Sequence, residues 1–437
     1  MLAVLLLFPL TGAVLLMLMV MVMVMVIAFD HLIIRRVKPL KLALNRQPFT
    51  IVVGAGSPTR QDLTQGNIMK KLVFSAFVGL MAMTASAFAD ITVTDVKGRT
   101  VTVPKVPERV VLSFYYEDYL AIAGPGALDK VVALSLSPWK DWRPNQFAAY
   151  EKALPKLASI PDIGSTEDNT FSIEKVIAAK PDLLILAAWS YDALGEGTKQ
   201  LEAAGIPIVT LDYNAQTVEK HVASTLALGK LMGTQDRAEK LAKNYKDAMA
   251  DVQARIQKAG PTEKKVYVEL AQKGPDEVGN SYGDTMWGAL IDRLGGHNIA
   301  KGQIGNWGPL SPEYVLAQKP DLIFLGGSEW LNKPQSVQVG FGADPAVTRP
   351  RQRMKAYLGR PGWSDLPAVK DGGVHAIYHG GARTLSDYVY AQYIAKQLYP
   401  DAFKNVDPAK NIADYYNNWL PIKADGVFVL PYEANGQ

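Results

Sequence analysis

Aromatic and arginine residues recur at one kind of place in this sequence, directly after short apolar runs. Phe114, Tyr115 and Tyr116 end or follow RVVLSF. Trp139, Lys140, Trp142 and Arg143 follow KVVALS, Trp189 and Tyr191 follow DLLILA, and Tyr213 follows PIVTLD. Later, Tyr282 and Trp287 follow GNS, Trp330 follows LGGSE, and His379 and Arg383 lie in YHGGARTLSDY. Aromatic rings offer apolar area with few lost rotamers and stack on flat or cationic groups. Guanidinium groups pair with carboxylates and other anions. Facing one another, these side chains would form an amphipathic pocket for a small molecule bearing anionic groups. Any one of them taken singly serves equally well as a packing residue between lobes.

Other chemistries find little support. No G-x-S-x-G elbow, H-E-x-x-H, P-loop or G-x-G-x-x-G after a strand is present, and an enzyme is not expected. The absence of cysteine excludes disulfides, thiolate metal sites and cysteine nucleophiles. The five histidines are scattered. His31 lies near the start, His221 in a helical tract where a solvated face is expected, and His297 in a GGHN turn with a structural role. His375 and His379 straddle a strand end, so no preformed histidine metal site is expected. Contact between His379 and the metal of a bound complex stays open. Residues 1–89 hold eight basic and two acidic residues, which leaves the rest of the chain mildly acidic despite a net charge of +4. That balance argues against nucleic-acid binding.

The apolar runs at 109–114, 130–135, 182–187 and 207–212 alternate with helical stretches, and a second series follows at 264–270, 321–326 and 374–378. Such alternation predicts parallel sheets covered by helices. The expected fold is α/β, with two doubly wound lobes joined by a long linker helix. Between the series, residues 216–258 carry few breakers and read as one helical tract or two abutting helices.

One unit occurs twice: FSIEKVIAAKPDLLIL at 171–186 and LSPEYVLAQKPDLIFL at 310–325, identical at nine of sixteen positions. Ser172 and Ser311 are placed as N-caps. Glu174 and Glu313 then fall in the first turn, where a carboxylate suits the helix dipole. KPD ends each helix and an apolar strand follows.

The leader contains a complete secretory signal peptide at 69–89, with a basic start, an apolar stretch and ASAFA before Asp90. Upstream, residues 1–27 form an almost continuous apolar run long enough to span a bilayer. Either this run is a membrane anchor or translation starts at Met69. The expected organisation is an apolar upstream segment (1–68), the signal peptide (69–89), an N-terminal lobe (90–215), the linker (216–260) and a C-terminal lobe (261–437).

The opening ITVTDVKGRTVTVPKVPERVVLS, the two repeated units, GDTMWGALIDRLGGHNIA and RPGWSDLPAVKDGGVHAI occur in this order across 90–400. In this the chain resembles the periplasmic substrate-binding proteins of ABC importers for iron–siderophore complexes, haem and cobalamin. The resemblance implies a periplasmic, non-enzymatic monomer with no cofactor and no metal site of its own. It would bind a small-molecule metal chelate, a ferric siderophore in the first place and haem or cobalamin as alternatives. It further implies docking on a permease dimer through one acidic residue per lobe, at Glu174 and Glu313. Helix-dipole stabilisation alone would also account for both glutamates.

Overall fold

The computed structural model describes residues 42–44, 47–49 and 90–433, apart from 331 and 345. The apolar run at 1–27, His31 and the signal peptide at 69–89 lie outside the described residues. The chain divides into two compact units, 1–86 and 87–437. In the first, β1 (Leu42–Leu44) pairs antiparallel with β2 (Gln47–Phe49). The site lies wholly in the second.

That unit opens with an antiparallel hairpin, β3 (Ile91–Thr94) and β4 (Thr100–Val103). A four-stranded parallel sheet follows, built from β5 (Val110–Leu112), β6 (Val131–Leu134), β7 (Leu183–Ala187) and β8 (Ile208–Leu211) in the order β6-β5-β7-β8. Its strands are buried on both faces. Val110, Leu112, Leu183 and Ile185 join the main core, while Val111, Leu184, Leu186 and Ile208 form a second cluster on the opposite side. This is why the runs are continuously apolar rather than alternating.

The second lobe comprises β9 (Lys265–Leu270), β10 (Asn280–Tyr282), β11 (His297–Asn298), β12 (Trp307–Pro309), β13 (Leu322–Gly327), β14 (Gly340–Phe341), β15 (Val374–Tyr378), β16 (Gly426–Val427) and β17 (Val429–Pro431). Its main sheet runs β11-β9-β13-β15-β17, parallel except for β17. Small antiparallel pairs, β10 with β12 and β14 with β16, sit beside it. The fold is the two-lobed α/β architecture expected from the alternation of strands and helices.

The intervening tract forms two helices, Val218–Leu231 and Gln235–Ala259. Two glycines set the break. Gly233 has φ of +71°, and a Cβ on Gly229 would lie 2.1 Å from that of Ala238, so the helices touch there. The solvated face expected at His221 is not found. The ring is fully buried and stacks on Tyr245 of the second helix at 4.5 Å. Its Nε2 lies 2.9 Å from Asp387 Oδ2 in the second lobe. A helix packed on both a neighbouring helix and a lobe leaves that face no access to water.

Both copies of the repeated unit fold alike. Ser172 Oγ accepts from Lys175 N–H and Ser311 Oγ from Tyr314 N–H. Each helix stops at a lysine in left-handed conformation, Lys180 (φ 47°) and Lys319 (φ 50°). The aspartate of KPD then pins the start of the adjacent strand. Asp182 accepts from Arg109 N–H at 2.8 Å, and Asp321 accepts from Lys265 N–H at 2.7 Å. Much of the duplication is thus structural. Glu174 and Glu313 are exposed, and the backbone N–H of Glu174 itself, then Ser172 Oγ donating at 3.0 Å, hold the Glu174 carboxyl below its usual range.

Candidate ligand-binding cleft

In both sheets the first strand has the second on one side and the third on the other. Ligands of open α/β sheets bind beyond the carboxyl ends of the strands, at such a reversal. A cavity of about 550 Å³ lies there, between the lobes. The first lobe contributes Asp141, Trp142, Arg143, Glu167, Trp189 and Asn214. From the second come Gln272, Tyr282, Met286, Asn306, Trp307, Trp330, Lys333, His379 and Arg383, among others.

Arg143 and Arg383 dominate the electrostatics. They are 6% and 9% exposed. Neither guanidinium donates a hydrogen bond to any described residue or forms an ion pair, and Arg383 Nε is buried without a partner. Arg143 immediately precedes the helix Pro144–Ala153. Arg383 follows the turn after β15 and has φ of +67°, a conformation that costs energy in a non-glycine residue. Its guanidinium lies 5.1 Å from the Phe114 ring centre and 5.5 Å from that of Trp189. Ring quadrupoles thus supply the attraction a carboxylate would usually give. Burial, then the neighbouring Arg143 charge, lowers the Arg383 pKa. Guanidinium nevertheless remains protonated in proteins. Two buried guanidiniums that form no ion pair among the described residues thus face one cavity, with Glu167 in the same lining and Glu117 and Asp118 behind them.

His379 completes this wall. Its Nδ1 accepts from Trp287 Nε1 at 3.3 Å and lies 3.5 Å from Tyr282 Oη. Burial, and then the Arg383 and Arg143 charges, hold its pKa well below the ordinary histidine value. Trp189 Nε1 is tied to Glu167 across the first-lobe rim.

Of the twelve residues singled out as pocket candidates, Trp142, Arg143, Trp189, Tyr282, Trp330, His379 and Arg383 line the cavity. The other five do not. Tyr115 and Tyr116 lie behind the arginines, around a water-sized void of about 10 Å³ shared with Glu117 and Asp118. Trp139 is buried and stacked on Tyr116 at 4.6 Å. Trp287 is fully buried and reaches the cavity only through His379. Tyr191 turns away from the cavity, its ring 4.1 Å from the Arg99 guanidinium. Four of the five lie on helices that follow the strands, Tyr116, Trp139, Tyr191 and Trp287, and Tyr115 directly precedes one, so helix geometry rather than a strand-end loop sets where each side chain points.

Several residues went unseen in the sequence. Gln272 lies two residues beyond β9, and Asn214 comes next after Tyr213; both are strand-end residues, but polar ones, which are common in such loops and carry no signal. Trp307, 60% exposed at the rim, sits on β12, a strand too short to register in the pattern. Among the described residues, no group of three or more histidine, aspartate or glutamate side chains could hold a metal ion.

Residues 110–378 match the family described as periplasmic binding protein. The chain belongs to that family. It is a substrate-binding transport protein in kind, not an enzyme. The uncharacterized ABC transporter substrate-binding lipoprotein YvrC of Bacillus subtilis is 26% identical over 324 residues, covering 72% of this chain and 87% of that protein. The molybdate-binding protein MolA of Haemophilus influenzae is 25% identical over 361 residues, covering 78% and 93%. Among solved structures, the TroA-like periplasmic binding protein FepB from Veillonella parvula superposes with a TM-score of 0.74 at 33% identity, covering 78% of this chain and all of that one.

Proposed function

We propose that this chain is the binding component of an ABC importer that works in the periplasm. It captures an anionic metal chelate, a ferric siderophore, between its lobes and delivers it to a membrane permease. The observation that carries this reading is the pair of buried, unpaired guanidiniums of Arg143 and Arg383 in one cavity. A buried charge without a partner is costly, and an anionic ligand relieves that cost. The volume falls within the range of about 300–1,000 Å³ typical of sites for organic ligands. A bare oxyanion, such as the one bound by the molybdate-binding relative, would fill a small part of it. Cobalamin, whose periphery is largely uncharged amide, would not require two buried cations. Haem is the second reading, because its two carboxylates would also satisfy both arginines.

Trp142, Trp189, Trp307 and Trp330 line the cavity, so intrinsic fluorescence reports occupancy. The purified protein should be titrated with an iron(III) tris-catecholate, a neutral iron(III) tris-hydroxamate, haemin, cyanocobalamin and molybdate. Saturable quenching is expected with the anionic iron chelate at lower concentration than with any other. Preference for cyanocobalamin, or no response to any iron chelate, would overturn the reading.

A further inference from the structure

The ring of His379 is oriented from one side. Trp287 Nε1 stands 3.3 Å from Nδ1, with Tyr282 Oη at 3.5 Å from the same atom. An indole N–H only donates, so Nδ1 must present its lone pair. The proton of the neutral ring then resides on Nε2. Trp287 is not free to turn away, because it is fully buried and packs edge-on against Tyr390 at 5.7 Å. Nε2 has no partner among the described residues, and His379 lines the cavity.

We infer that His379 offers Nε2–H to the cargo as a hydrogen-bond donor and does not coordinate its metal. The inference rests on the reading of the cavity as a chelate site. Coordination through Nε2 would use the lone pair of that atom and move the proton to Nδ1. Two N–H donors would then face each other across 3.3 Å in a buried space. A metal-bound imidazole usually donates its second N–H to a carboxylate, carbonyl or water; here a donor occupies that place. The cargo must therefore arrive with its metal saturated by its own donor atoms. The protein reads the outer oxygens of the chelate, through Nε2–H and the guanidiniums of Arg143 and Arg383. A haem, with axial positions open on its iron, would gain no ligand from His379.

The tautomer is measurable without any cargo. With ring-¹⁵N histidine in the purified protein, long-range proton–nitrogen correlation at neutral pH should show a protonated Nε2 and an unprotonated Nδ1 for His379. His379→Gln assigns the signal by its loss. The opposite pattern would overturn the inference. With an iron(III) tris-catecholate as probe, His379→Leu should weaken binding tenfold or more, the scale of one hydrogen bond to a charged acceptor. His379→Gln, which retains an N–H donor, should weaken it about threefold on the same scale. Equal and large losses in both variants would contradict the donor role. So would haemin acquiring a histidine-ligated spectrum that His379→Gln abolishes. If no iron chelate binds the unaltered protein, the proposed function fails, while the tautomer measurement still decides the role of the ring.

Discussion

Glu329 of the second lobe caps a helix of the first: its Oε2 accepts from Gln146 N–H at 3.0 Å, and from Asn145 N–H at 2.9 Å. The same carboxylate accepts from Phe341 N–H at 3.0 Å through Oε1. The capped helix begins directly after Arg143, so this contact both joins the lobes and sets the position of a cavity cation.

Burial drives the Glu329 pKa up to about 7, against the pull of the backbone N–H groups of Gln146 and Phe341. A carboxyl whose folded pKa exceeds its unfolded value binds more protons in the folded state. Its contribution is complete below about pH 4.5 and is lost as pH rises through about 7, a change of about 3 kcal/mol. Urea unfolding at pH 5 and pH 8 should therefore show a steeper loss of stability in the unaltered protein than in Glu329→Gln. Equal slopes would remove this group from the pH dependence.

The lobes are expected to move little on binding. The connecting helices pack against each other, and the buried His221–Asp387 pair and Glu329 tie them and the first lobe to the second. Small-angle scattering with and without an iron chelate should give radii of gyration within roughly 1 Å, as in other pre-organised complexes. A contraction of several ångströms would mean that these contacts break.

Glu174 and Glu313 are proposed to dock the two lobes on the permease and to take no part in binding cargo. Both are exposed in the first turn of equivalent helices, so changing them should leave the fold intact. Loss of a charge whose partner is left buried at an interface costs on the order of 2–5 kcal/mol. Glu174→Ala with Glu313→Ala should abolish uptake in cells while chelate affinity in solution stays unchanged. Intact uptake would leave these residues only their helix-terminal role.

The backbone was more legible in the sequence than the cavity. Short continuous apolar runs bounded by KPD read as doubly covered strands, and the serine–glutamate–KPD pattern carried its own start and stop signals. Side-chain direction was not legible. Trp139 and Trp142 lie three residues apart, yet one stacks on Tyr116 in the core and the other lines the cavity. Spacing alone does not separate them, because the helix that carries Trp139, Ser137–Lys140, is a single turn that ends before Trp142. His221 misled for a related reason: helical spacing shows which residues share a face, but not that a distant aspartate, Asp387, will cover it. Glu329 was hidden because its partners are backbone N–H groups of another lobe, which no residue pattern announces.

The central claim is that Arg143 and Arg383 hold an anionic chelate in the cleft. Calorimetric titration of an iron(III) tris-catecholate into the purified protein and into Arg143→Met with Arg383→Met tests it most directly. Hydrogen bonds to charged groups contribute about 1.5–3 kcal/mol each. The double variant should therefore bind at least about a hundredfold more weakly, with a melting temperature no lower than that of the unaltered protein, since two unpaired buried charges are removed. Unchanged affinity in a folded double variant would contradict the account.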